Sequence, residues 1–189
     1  PTLVFTKSGD KLAASARSVK GFDVYNALEA CSEFIEQFGG HKYAAGLTLL
    51  PEQYENFKNK FEEVVSATIE KSLLTPEITI DAEIDLSEIT PKFFRIIQQM
   101  APFGPLNMKP VFTTTAVRDN GYGKQVGADS SHLKLNLIYG SDQKTYNAIG
   151  FGLGNKISTI QNDFDIAYTL DENTWNGYTS IQLMLKDLK

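Results

Sequence analysis

The spacing of apolar residues changes near residue 76, and that change limits what this chain can become. Before it, apolar side chains recur at intervals of three and four, the period of a helix face. After it they mostly alternate, the period of a half-buried strand. A chain with both textures in series reads as α+β, with its helices concentrated in the first part and its strands in the second. At roughly 100–200 residues per domain, 189 residues hold one domain or two small ones.

In the first part, Leu3-Val4-Phe5 and Lys11–Ala16 read as strands around a turn at Ser8-Gly9-Asp10. Asp23 is a good N-cap, because its carboxylate accepts from first-turn amides. Behind it Val24, Leu28, Cys31, Ile35 and Phe38 share one helical face, and Gly39-Gly40 suits a helix C-cap. Ala44–Leu49 reads as a buried strand. Pro51 opens a second helix with the apolar face Tyr54, Phe57, Phe61, Val64 or Val65, and Ile69.

In the second part, Glu77–Leu86 alternates as a strand. Thr90-Pro91 caps a short helix, whose Phe93, Phe94, Ile96 and Ile97 read as core. Residues 102–110 form a Gly- and Pro-bearing connection. Five further strands are expected, at 111–117, 132–139, 145–150, 165–170 and 178–188. A short helix lies near Asn155–Gln161, and Asn176-Gly177 makes a tight hairpin turn. This pattern fits a small barrel. The expected division is 1–75, a connecting 76–110, and a barrel over 111–189.

Composition excludes several classes. With 42% hydrophobic and 22% charged residues, wholesale disorder is unexpected. No stretch approaches the ~20 apolar residues of a bilayer-spanning helix. The single cysteine, Cys31, forms no intrachain disulfide, and it sits where it acts as a small hydrophobe. Two histidines and one cysteine cannot build a zinc site from soft ligands. The lone cysteine fits a reducing compartment, and with no signal peptide visible after Pro1 a cytoplasmic setting is expected; the chain reads as a piece of something longer, and a monomer is favoured. The net charge of -5 disfavours a broad polyanion surface. The balance is even along the chain: 8 basic and 10 acidic residues over 1–75, then 10 and 13. Any nucleic-acid site is therefore a local groove.

Two local patterns carry chemistry. Gly39-Gly40-His41, followed by Ala44-Ala45-Gly46, allows a backbone to approach an anion closely, with a histidine to donate. A helix cap followed by an ordinary histidine is the competing reading. Ser15-Ala16-Arg17-Ser18 packs a guanidinium between two hydroxyls, a compact donor set for phosphate. A solvated strand end is the competing reading there.

In series these patterns resemble a known family. Ser15–Ser18, Gly21-Phe22-Asp23 and Phe38–Gly46 are similar, in order and spacing, to the DHH-associated domain of the RecJ family of bacterial single-strand-specific exonucleases. Ala101–Asn107 with Pro110-Val111-Phe112 resembles that family's lead into an OB-fold. Leu106 or Pro105 stands where a second glycine is usual. His132–Leu135, Ala148–Phe151 and the stretch from Gly177 through Gln182-Leu183 to Lys186-Asp187 extend the resemblance over nearly the whole chain.

The resemblance implies a small α/β domain with a mixed sheet, followed by an OB-fold-like five-stranded barrel. It implies the substrate-binding C-terminal portion of a 5'-to-3' single-stranded-DNA exonuclease of repair and recombination. The fragment alone would be inactive. The Mn2+ or Mg2+ would be held by an N-terminal Asp-His-His domain, a partner this sequence lacks, and no metal is expected here. His41 would contact a phosphate beside that metal site, and Ser15, Arg17, Ser18, Gly39 and Gly40 would hold the strand. Single-stranded DNA would meet the barrel at Lys124, His132, Lys134 and Trp175, by basic and stacking contacts. Two other readings stand beside this one. One is a DHH-type phosphodiesterase for short oligonucleotides or cyclic dinucleotides; the other is a non-catalytic single-strand-binding module.

Overall fold

The computed structural model describes all residues except Ser141; the side chains of Asp142 and Gln143 are likewise outside the description. Two compact units result, Pro1–Glu77 and Ile78–Lys189.

The first unit is a four-stranded sheet covered on one face by helices. Its strands are β1 (Thr2–Ser8), β2 (Lys11–Arg17), β3 (Gln37–His41) and β4 (Ala44–Leu49). They lie in the order β1-β2-β4-β3, and every described pairing is antiparallel, so this sheet is not mixed. Its helices are α1 (Val24–Glu29) and α2 (Tyr54–Thr68). Their apolar faces meet Leu3, Phe5, Leu12, Ala14, Ala16, Phe38, Ala45, Leu47 and Leu49 in one core. Phe57 sits at its centre, 2% exposed, with Phe5 and Phe61 against it. Cys31 is fully buried there, and loss of solvation pushes its thiol pKa up to about 11, consistent with a packing role.

The helix expected to reach Phe38 stops at Glu29. A 3-10 turn at Ser32–Phe34 follows, and then β3. Asp23 does cap α1, accepting from Asn26 N at 3.1 Å. Gly39-Gly40 is therefore no helix cap but part of a strand, with Gly39 opposite Gly46 and Gly40 opposite Ala45. Sheet pairing with β4 overrides the helical spacing of Ile35 and Phe38, because that spacing is a local signal and the pairing is not.

The second unit is built on β5 (Ala82–Glu83), α3 (Pro91–Gln98), β6 (Phe112–Asp119), β7 (Lys124–Val126), β8 (His132–Tyr139), β9 (Asp142–Gly150), β10 (Phe164–Trp175) and β11 (Tyr178–Leu188). The strands run β5-β6-β10-β11-β9-β8-β7, and an added β6–β8 pairing brings the ring round. Five strands thus form the ring: β6 pairs with β8 and β10, β8 with β9, β9 with β11, and β11 with β10. The β9–β11 pairing is parallel and the others are antiparallel. A 3-10 segment at Gly154–Gln161 lies between the third and fourth ring strands. This connectivity is that of an OB-fold, a five-stranded Greek-key barrel.

Residues 78–110 pack as part of this unit. Leu86, Ile89 and Phe94 are buried in the barrel's core, whereas Ile96 is half exposed. Of the strand expected over 77–86, Ala82–Glu83 pairs with β6, while Asp85 and Glu88 close a capping box that starts a 3-10 turn. Thr114 gives its one hydroxyl proton to the Ile84 carbonyl at 2.6 Å, so the buried Tyr168 hydroxyl donates to Thr114 Oγ1 at 2.9 Å. That relay fastens the connecting segment to the barrel wall.

Candidate nucleic-acid interface

The first unit's sheet has one covered face and one open face. Residues directly opposite in an antiparallel pair share a face. Ser15 lies opposite Val4 and Gly46, and Gly46 opposite Gly39. One row along, Arg17 lies opposite Thr2 and Ala44, and Ala44 opposite His41. Ser15, Arg17, Gly39 and His41 are all exposed, so these four expected residues meet on the open face. Arg17 and His41 sit two strands apart, roughly 10 Å, with Ala44 between them. Beside them Ser15, Gly46 and Gly39 form a row with almost no side chain, where a ligand reaches the backbone of the sheet.

Two expected residues play different parts. Gly40 is conformational. Its φ is +144°, and an added Cβ would sit 2.4 Å from the Ala44 carbonyl oxygen and 2.5 Å from Ala45 Cα. Gly39 has nothing within 4 Å of that position. Ser18 donates its hydroxyl to the Phe22 carbonyl at 2.8 Å and its amide to the Tyr43 carbonyl at 3.0 Å, so it ties the turn after β2. Arg17 donates one guanidinium N–H to the Ala16 carbonyl at 2.8 Å, and its other donors have no partner among the described residues. His41 Nδ1 accepts from Tyr43 N at 3.3 Å, which leaves Nε2 as the proton-bearing nitrogen of the neutral ring. Tyr43 stands beside it with Lys42 over its ring, a neighbour the sequence reading did not single out.

On the barrel, Lys124 of β7 lies directly opposite Lys134 of β8, and both are exposed. Neither has an ion pair or hydrogen bond among the described residues. Like charges facing each other across strands repel, so an anion laid over both relieves a cost already present. Ile149 faces Lys134 from β9, and Met184 of β11 faces Ile149, giving a half-buried apolar floor beside the lysines. His132 shares their face, but its Nδ1 accepts from Gly152 N at 3.1 Å and meets Ser131 Oγ at 3.0 Å. Its first task is to tie the end of β9 to the start of β8.

Phe151 packs edge-on to His132 at 5.0 Å while remaining 61% exposed. The sequence places it only within the Ala148–Phe151 resemblance and not among the binding residues. Trp175 and Tyr178 face each other across the hairpin tip, 74% and 83% exposed, where Asn176 and Gly177 both take positive φ. Tyr122 is 76% exposed on the loop between β6 and β7. That loop is pinned by Asp119, whose carboxylate accepts from Gly121 N at 2.8 Å, Gly123 N at 2.7 Å and Asn136 N at 3.0 Å.

Among the described residues, no group of three or more His, Cys, Asp or Glu converges on a point where a metal ion could sit. These described residues do not fit a divalent-metal centre. Among the described residues, no helix is long and apolar enough to cross a membrane.

The barrel's connectivity has a counterpart in known proteins. Residues 80–187, more than half the chain, match the RecJ OB domain. The chain belongs to the RecJ family. Residues 1–67 match the DHHA1 domain, the unit that carries Arg17 and His41. The chain is 30% identical over 92% of its length to the single-stranded-DNA-specific exonuclease RecJ of Bacillus subtilis, covering 22% of that protein. It is 26% identical over its whole length to RecJ of Escherichia coli, covering 33%. The Mn2+-bound crystal structure of Thermus thermophilus RecJ superposes with a TM-score of 0.72 at 22% identity, over 99% of this chain and 26% of that one. The chain thus spans about a fifth to a third of the RecJ relatives it matches.

Proposed function

We propose that this chain is the substrate-holding C-terminal portion of a RecJ-type 5'-to-3' exonuclease for single-stranded DNA. The observation that carries the reading is the opposed, unpaired Lys124 and Lys134 on the outer face of an OB barrel whose loops display Tyr122, Phe151, Trp175 and Tyr178. Unpaired cations track a phosphodiester backbone, and exposed rings stack on bases whatever their sequence. Four bare rings on a barrel of this topology suit a flexible strand, whose bases are free to stack, better than a duplex.

The first unit contributes positioning rather than bond cleavage. Arg17 offers planar donors to a phosphate oxygen, and His41 Nε2 offers one more from the same row. The smooth Ser15–Gly46–Gly39 row brings the phosphate close to both. Mn2+ or Mg2+ supplied by a separate domain would activate water and neutralise charge on the scissile group. The residues here hold the strand still and offset part of that charge.

The test uses a full-length protein that contains this chain. Arg17→Ala and His41→Ala each lower the single-strand exonuclease rate at least about tenfold, as the loss of one charge-assisted hydrogen bond does, with unfolding midpoints unchanged. Wild-type rates in both variants would remove the role. Faster cleavage of cyclic dinucleotides or dinucleotides than of long single strands would favour a small-substrate phosphodiesterase instead. Single-strand binding by a natural protein that has no nuclease activity would favour a stand-alone binding module.

A further inference from the structure

Three asparagines on the barrel's outer face form a hydrogen-bonded row with a defined direction. It starts at a backbone amide: Tyr122 N donates to Asn120 Oδ1 at 3.3 Å. A backbone N–H can only donate, so this bond fixes which end of the Asn120 amide is oxygen. Asn120 Nδ2 then donates to Asn136 Oδ1 at 3.1 Å. Asn136 Nδ2 donates to Asn147 Oδ1 at 3.5 Å, a long final link. The middle residue is held independently through its backbone. Its amide donates to Asp119 Oδ1 at 3.0 Å, and its carbonyl accepts from Asn120 N at 2.9 Å.

The row ends on Asn147, which is exposed on β9 opposite Asn136. Its oxygen accepts from Asn136 through one of its two lone pairs, and its Nδ2 protons have no acceptor among the described residues. Asn147 therefore ends the row with two free N–H donors. It lies two residues from Ile149, and Asn136 two residues from Lys134. A strand rises ~3.4 Å per residue, so the amide row runs roughly 7 Å from the lysine row on the same face.

We propose that this amide row reads the edge of a nucleobase and favours keto bases (thymine, uracil, guanine) over amino bases (cytosine, adenine). A keto oxygen accepts from Asn147 Nδ2. An exocyclic amino group at the same place sets donor against donor and leaves both unpaired. The inference rests on the reading that the barrel binds single strands, and it adds a base preference to it. The lysines and aromatic rings supply affinity for any sequence, and the asparagines shade that affinity by base.

Oligo-deoxyuridine and oligo-deoxycytidine of equal length make the sharpest pair, because their bases differ at the 4-position and its adjoining ring nitrogen. Fluorescence anisotropy with the 189-residue chain at low salt is expected to show about three- to tenfold tighter binding to the deoxyuridine strand, the worth of one hydrogen bond. Asn147→Ala removes the preference while binding persists. Asn147→Asp, which only accepts, reverses it as overall affinity falls. Salt-dependent binding with equal affinity for the two strands overturns the amide readout and leaves single-strand binding intact. No binding to either strand, or to a thymidine strand, overturns both.

Discussion

The sheet of the first unit and the barrel of the second each present an open β surface, and the two surfaces are built on opposite plans. The first is nearly bare: Ser15, Gly46 and Gly39 in one row, with Arg17, Ala44 and His41 beside them. The second is crowded, with two facing lysines, an amide row and four exposed rings. A bare surface suits one phosphate held close to the backbone, where orientation matters. A crowded one suits many weak contacts along a mobile strand, where total affinity matters. The net charge of -5 gives the chain no broadly basic surface, so phosphate contacts on either plan fall to a few local groups.

The largest effect that would break this comparison comes from the two adjacent glycines. Gly40→Ala places a methyl group against the Ala44 carbonyl and Ala45 Cα at a positive φ. It should destabilise the first unit by about 3 kcal/mol, as a steric and backbone defect combined. Gly39→Ala meets open space and should leave stability within about 0.5 kcal/mol. Hydrogen exchange across β3 and β4 separates the two outcomes. In a full-length enzyme, Gly39→Ala should nevertheless slow single-strand hydrolysis, because its methyl stands on the bare face. Equal stability losses in both variants would show that the bare row is only a packing device.

Next in size is the lysine pair. Lys124→Ala with Lys134→Ala should weaken single-strand binding by about 2–3 kcal/mol at low salt. The slope of log affinity against log salt should fall by about 1.4, or 0.7 for each lost single-strand phosphate contact. Stability should rise by a few tenths of a kcal/mol as the repulsion disappears. An unchanged salt slope would move the strand's path off this face. Trp175→Ala should cost about 1–2 kcal/mol of binding, the range for one stacked base. Its side chain is 74% exposed, so the fold should not notice. Titration with a long single strand measures both.

Much of this organisation was legible in the residues. The Asn176-Gly177 turn, the strands from 111 onward and the Asp23 cap are local signals, and each appears where its chemistry demands. The RecJ resemblance named both domains. The lengths of the helices and strands were less legible. Val24, Leu28, Cys31, Ile35 and Phe38 fit one helical face, yet the chain turns at Glu29, because Phe38-Gly39-Gly40 finds β4 as a partner. The site was half legible for the same reason. Arg17 and His41 carry obvious chemistry, but their shared row depends on the register of three strands, which no local pattern encodes. Lys124 opposite Lys134, and the chain of three amides, are likewise products of pairing rather than spacing.

The smallest effect sharpens the comparison from the acidic side. The hairpin that carries Trp175 has Asp171 and Glu172 at its base, a poor neighbourhood for a phosphate backbone. Lys109 answers Asp171 with a 2.6 Å contact, and that hydrogen bond holds the Asp171 carboxyl below the usual carboxylate range. A depressed carboxylate pKa stabilises the fold at pH values above the unfolded value, ~3.9. That contribution is lost as pH falls through the folded value. Both side chains are more than a third exposed, so the pair is worth less than about 1 kcal/mol once solvent screening is counted. Lys109→Met should therefore lower the second unit's stability slightly at pH 7 and not at pH 2, read from urea midpoints at the two values. The same change bares a carboxylate near the aromatic tip. Single-strand binding should weaken about twofold at low salt and recover at high salt, where the repulsion is screened. A loss of binding that persists at high salt would make Lys109 a direct phosphate contact, and the hairpin would then share the charged plan of the β7–β8 face.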